Sequence, residues 1–83
     1  MPHTPHELAE EFPDQVKLIS HLKSEDPHFA RLCDDYHMIN RDVHRAETDI
    51  QPTDDLTLQD MRKKRLALKD DIWHRLKAAR TNV

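Results

Sequence analysis

Apolar residues between Asp26 and Ile50 fall at Phe29, Leu32, Tyr36, Ile39, Val43, Ala46 and Ile50, spaced by alternating threes and fours through three heptads. A helix gathers residues so spaced into one stripe, the seam of a coiled coil. A second stripe follows a polar break, with Leu58, Met61, Leu68, Ile72, Leu76, Ala79 and Val83 recurring at mostly the same interval. The break, Gln51-Pro52-Thr53-Asp54-Asp55, has the residues of a turn, and Pro52 keeps Gln51 out of a helix. The pattern predicts helices over about 27–50 and 55–80, joined by a turn at about 51–54.

So short a connection makes the two helices antiparallel, and their residues should meet in layers whose numbers have a nearly constant sum. Ile50 then faces Leu58, Ala46 faces Met61, Ile39 faces Leu68, Tyr36 faces Ile72, Leu32 faces Leu76 and Phe29 faces Ala79. Val43 instead faces Arg65, whose stem can pack beside it while the guanidinium reaches Asp42 or another carboxylate at the edge. That expected ion pair is worth ~0.5 kcal/mol if exposed.

The punctuation ahead of the first long helix is clear. Asp26 is suited to the N-cap and Pro27 to the first helical position, where a missing amide hydrogen costs nothing. The preceding residues 1–25 read as a short broken helical arm. Thr4-Pro5-His6-Glu7 has the form of a capping box that starts a helix at Pro5. Pro13 then ends or kinks that helix at Phe12 and opens a second one carrying Val16, Leu18, Ile19 and Leu22. Phe12, Val16, Ile19 and the stem of Lys23 should share a stripe. The expected fold is all-α: an antiparallel two-helix coiled-coil hairpin over 26–83 with this arm in front.

Composition narrows the picture. Eighty-three residues, no Gly, 5% aromatic and 35% charged residues suit long solvent-washed helices and leave no room for a deep active site. The lone Cys33 forms no internal disulfide, and no apolar run or leader segment is evident, so a cytoplasmic protein without a membrane span is expected. Residues 61–83 carry eight Lys or Arg against Asp70 and Asp71, a balance of +6, and with −3 overall the residues before them carry −9. The two regions should attract each other.

Two strings carry a resemblance. DPHFARL at 26–32 and RLALKDDIWHRL at 65–76, separated by a polar turn, resemble the YdcH-like proteins, a family of small bacterial proteins of unknown function. The similarity runs from about Pro13 to Ala79. It implies a helical hairpin in a bacterial cytoplasm, and it carries no catalytic residues over. Trp73 stands where that pattern has Tyr, and Cys33 where it commonly has a larger apolar residue.

The candidate chemistry is sparse. Cys33 and His37 have the i,i+4 spacing of helix-borne metal ligands, with Asp34 nearby, but the sequence places no third strong donor beside them. His37 and His44 lie about 10 Å apart along a helix, too far to share one ion. No metal, cofactor or catalytic residue is expected, and the protein reads as a non-enzyme: it has no Gly-rich phosphate loop and no nucleophile elbow. Protonating all seven histidines would carry the formal charge from −3 to +4, a latent pH response. Arg62, Lys63, Lys64, Arg65 and Lys69 form a candidate basic patch able to meet phosphates, though the helix spreads them around its circumference.

Leu18, Leu22, Leu66 and Trp73 are left over by the seam and form a candidate partner-binding edge. One interface is thin for an independent hairpin. Either the arm folds back on it or two copies pair as a four-helix bundle, and the sequence favours the homodimer. The function expected is a small protein-interaction module with an unidentified protein partner. Nucleic-acid association through the basic helix is the alternative.

Overall fold

A computed structural model describes residues 6–48 and 53–81, with side-chain placement up to Arg80, and every regular element in them is helical. The chain runs through a single turn α1 (Leu8–Glu11), a 3₁₀ turn (Pro13–Gln15), α2 (Val16–Glu25) and the long helices α3 (Pro27–Glu47) and α4 (Asp55–Thr81). Local chemistry accounts for the divisions. Phe12 takes φ −130°, ψ 62° ahead of Pro13 and so leaves the helical region. Asp26 is extended (φ −127°, ψ 106°) ahead of Pro27, and its carboxylate accepts the His28 amide at 2.9 Å, capping α3. At the other end the Thr48 hydroxyl donates to the His44 carbonyl at 2.8 Å.

The start of α1 differs from the expected capping box. Glu7, not Thr4, occupies the N-cap position, because His6 has φ 63°, which no right-handed helix accommodates. Thr4 and Pro5 lie outside the described residues, as do the seam residue Ile50, Pro52 of the predicted turn, and Val83. Val16 also departs from the expected stripe: Phe12 and Ile19 are buried, but Val16 is exposed. The intervening 3₁₀ turn has about three residues per turn, which shifts the phase between Phe12 and α2.

Polar links between α3 and α4 occur in reversed order, with Glu47 to Arg62 (2.9 Å), Asn40 to Arg65 (3.1 Å) and the cap residue Asp26 to Arg75 (3.9 Å). The face of α3 that is sealed is not centred on the heptad seam. Phe29, Cys33, Tyr36, Asn40 and Val43 are almost wholly buried, while Leu32 and Ile39 are only partly so. At ~100° per residue the buried stripe is turned roughly 50° from the seam, toward Cys33 and Asn40.

The arm causes part of this rotation. Leu8, Phe12 and Ile19 join Phe29, Cys33, Tyr36, Ile72 and Leu76 in one buried cluster, each such side chain contributing about 1.5–3 kcal/mol by leaving water. The arm, α3 and α4 therefore all contribute to this core, and Val43 and Ala46 of α3 are buried outside the cluster.

Candidate functional site

The densest polar cluster lies where the arm meets the long helices. The Tyr36 hydroxyl on α3 donates to the His6 carbonyl at 2.6 Å. On the adjacent residue, His37 Nδ1 is 2.8 Å from Glu7 Oε2. Glu11 receives His6 Nδ1 at 3.0 Å and Lys69 Nζ of α4 at 3.4 Å. Burial opposes ionisation of Glu11, but the His6 hydrogen bond and the Lys69 charge outweigh it and hold the carboxyl below its usual range. Burial pushes the Tyr36 phenol up to about 12, with Glu11 adding to the rise.

Cys33 lies beneath the arm with no exposed surface, and burial pushes its thiol up to about 11. Such a thiol is a protonated packing group at neutral pH. His37, four residues on, is turned to Glu7, so the two candidate ligands take separate environments. Among the described residues no three His, Cys, Asp or Glu side chains are grouped as a metal ion requires. A cleft of about 300 Å³ opens within the arm between Leu8, Val16, Ile19 and Lys23, with His37 at its margin.

The basic patch is divided, with three of its five residues paired inside the molecule. Arg62 meets Glu47 at 2.9 Å, Arg65 donates to Asn40 Oδ1 at 3.1 Å and Lys69 meets Glu11. Lys63 and Lys64 are exposed on other sides of α4. The expected pairing of Arg65 with Asp42 or another edge carboxylate is corrected: the guanidinium donates to Asn40, a wholly buried side chain whose amide oxygen offers an acceptor, while Asp42 is exposed.

The proposed partner edge divides in two. Leu18 and Leu22 are partly buried against the core cluster by the docking of the arm, so they are not free. Leu66 and Trp73 of α4 remain 58% and 41% exposed. Seven residues apart, they stand on one side of the helix. Lys77 Nζ lies 5.1 Å from the Trp73 ring centre, a cation–π contact, and the His74 ring meets the indole edge-on at 5.2 Å. Of the seam residues on α4, Ile72 and Leu76 are fully buried and Leu58, Met61, Leu68 and Ala79 partly so.

Sequence reasoning missed Asn40, which reads as a polar flank position, and the roles of Glu7 and Glu11. Only the spacing of Glu7 and Glu11, one turn apart beside Leu8 and Phe12, hinted that the arm's acidic side would travel with its apolar one.

Among the described residues no helix is long and apolar enough to cross a membrane. A family model described as "Protein of unknown function (DUF465)" matches residues 29–76. No curated protein and no solved structure matches the chain.

Proposed function

Since the chain belongs to the DUF465 family of proteins of unknown function, we propose from its surface that it is a helical protein-interaction module. In this reading α3 and α4 form an antiparallel coiled-coil hairpin, buttressed by the arm, and the outer side of α4 binds a protein partner. The observation that carries it is the exposure of Leu66 and Trp73 on one side of α4 while the neighbouring core is sealed. Exposed Trp is costly to hydrate and is enriched where interfaces draw their energy. Lys77, over the Trp73 ring, and Arg80 put positive charge beside these two residues, so the fitting partner is an amphipathic helix with an acidic margin. The likeness of DPHFARL and RLALKDDIWHRL to YdcH-like proteins supports the same hairpin reading.

Capture from a bacterial extract on the immobilised 83-residue chain tests it, using wild type beside Leu66→Asp and Trp73→Ala. Both positions are exposed, so the variants should keep wild-type helicity while losing the retained species. Trp73, the single Trp, should shift its emission to the blue when the purified partner is added back. Retention of the same species by both variants refutes the assignment of this surface. Nucleic-acid association has weaker support, because Arg62, Arg65 and Lys69 are engaged within the molecule.

A further inference from the structure

The arm and the groove beneath it are separable parts. The family match begins at Phe29 and ends at Leu76, and these two residues, with Cys33, Tyr36 and Ile72, line the groove in which the arm sits. All arm residues lie outside the match. Within the chain the arm is joined to α3 through Asp26, a single extended residue that Pro27 keeps from becoming helical. So α2 and α3 cannot fuse into one rod, and a change at Asp26 re-aims the whole arm.

The arm also has little stability of its own. Its α1 is one turn long, and neither α1, the 3₁₀ turn nor α2 has a side-chain N-cap hydrogen bond. It is held by what it touches. Leu8, Phe12 and Ile19 enter the groove, the Tyr36 hydroxyl takes the His6 carbonyl, Glu7 meets His37 and Glu11 meets Lys69. Each of these contacts joins the arm to α3 or α4, and none depends on the two belonging to one chain.

We propose that the arm is an exchangeable occupant of this groove, and that the groove also takes the arm of a second copy, giving an arm-exchanged dimer. The second copy is favoured over a foreign helix because the complementarity is already displayed: acidic Glu7 and Glu11 against His37 and Lys69, and three apolar side chains against a fitted apolar floor. Exchange leaves the groove contacts unchanged and asks only that Asp26 open. A short tether gives the arm an effective concentration of order ~1 mM at its own groove. The closed monomer should therefore dominate at micromolar protein, and the dimer should grow in as the concentration approaches that value.

Cys33 reports groove occupancy, because its thiol is wholly covered. In the Phe12→Asp chain the arm cannot dock, and labelling of Cys33 by a maleimide should speed up at least about tenfold, as expected for losing a buried aromatic anchor. A synthetic peptide of residues 6–25 carrying the wild-type Phe12, added to this variant, should restore protection in a saturable manner. Should Phe12→Asp unfold, Tyr36→Phe removes only the hydroxyl bond to His6 and should raise the labelling rate about fivefold with unchanged helicity.

Sedimentation equilibrium from ~1 µM to ~1 mM should show dimer at the upper end for wild type and Trp73→Ala, and monomer throughout for Phe12→Asp. That contrast separates arm exchange from pairing through the α4 surface. The proposal is overturned by Cys33 labelling equally slowly in both variants and wild type, by a peptide that gives no protection, by a wild-type chain that stays monomeric, or by a dimer that survives Phe12→Asp.

Discussion

Replacing Asn40 probes the polar contact buried between the long helices. Asn40 has no exposed surface, and its Oδ1 accepts Arg65 Nη1 at 3.1 Å. Asn40→Ala removes that acceptor and leaves a partly buried guanidinium without it. A hydrogen bond to a charged donor is worth about 1.5–3 kcal/mol, so a loss near ~2 kcal/mol is expected. For a domain of this size that lowers Tm by roughly 8–16 °C. Asn40→Leu should cost less, because it refills the volume and Arg65, half-buried, can turn outward to water. In Asn40→Leu/Arg65→Leu the pair is replaced by apolar volume and stability should return to near or above that of wild type.

The assay is urea unfolding followed by circular dichroism, with a double-mutant cycle on Asn40→Ala and Arg65→Ala. The cycle should give a coupling of ~1–2 kcal/mol. Asp42→Ala, at the exposed carboxylate that the sequence nominated, should change stability by less than ~0.5 kcal/mol. The reasoning fails if Asn40→Ala is as mild as Asp42→Ala, or if the coupling is within error of zero.

Other outcomes follow from the same contacts. Because the Cys33 thiol is pushed from its ordinary 9.0 up to about 11, the fold binds a proton that the unfolded chain releases. Stability should be intact below pH 9 and fall as pH rises from 9 to 11, by on the order of 2–3 kcal/mol for this group; Cys33→Ala should flatten that limb in pH-dependent urea titrations. Glu11 has the opposite sign: its carboxyl is held low, so its contribution is present above the ordinary carboxylate range and lost as pH falls through the lowered value, and Glu11→Gln should shrink the acid-side loss of arm docking read by Cys33 labelling. Ile72→Ala, at a fully buried position beneath the arm, should cost about 2–5 kcal/mol in the same urea assay, while Leu66→Ala on the exposed side stays within ~0.5 kcal/mol. In a gel-shift titration with RNA and duplex DNA at low salt, no complex is expected at micromolar protein; a complex whose affinity falls steeply with salt would revive the nucleic-acid reading.

The parts of the fold legible in the sequence are those governed by a few neighbouring residues. Pro13 forces Phe12 out of the helical region, Pro27 does the same to Asp26, and the Asp26 carboxylate then caps α3. The absence of Gly and the three-and-four spacing likewise indicated an all-helical chain, because both properties act through the backbone of one segment at a time. The candidate site was less legible. Leu66 and Trp73 could be singled out as residues the seam leaves over, but Leu18 and Leu22 carry the same signal and end up against the core.

Periodicity states that a helix has an apolar side. It does not state how wide the buried sector becomes, since that depends on how many neighbours pack around it. On α3 the heptad points to Leu32 and Ile39, yet Cys33 and Asn40 are the residues without exposed surface. The arm lies over the Cys33 flank, and α4 supplies Arg65 as a donor to the Asn40 amide oxygen. The segmentation and helical class of this protein were thus determined locally, by proline, caps and spacing. The rotation of its core, the pairing of Arg62, Arg65 and Lys69 within the molecule and the choice of which apolar side chains stay exposed were decided only when the arm, α3 and α4 competed for the same surface.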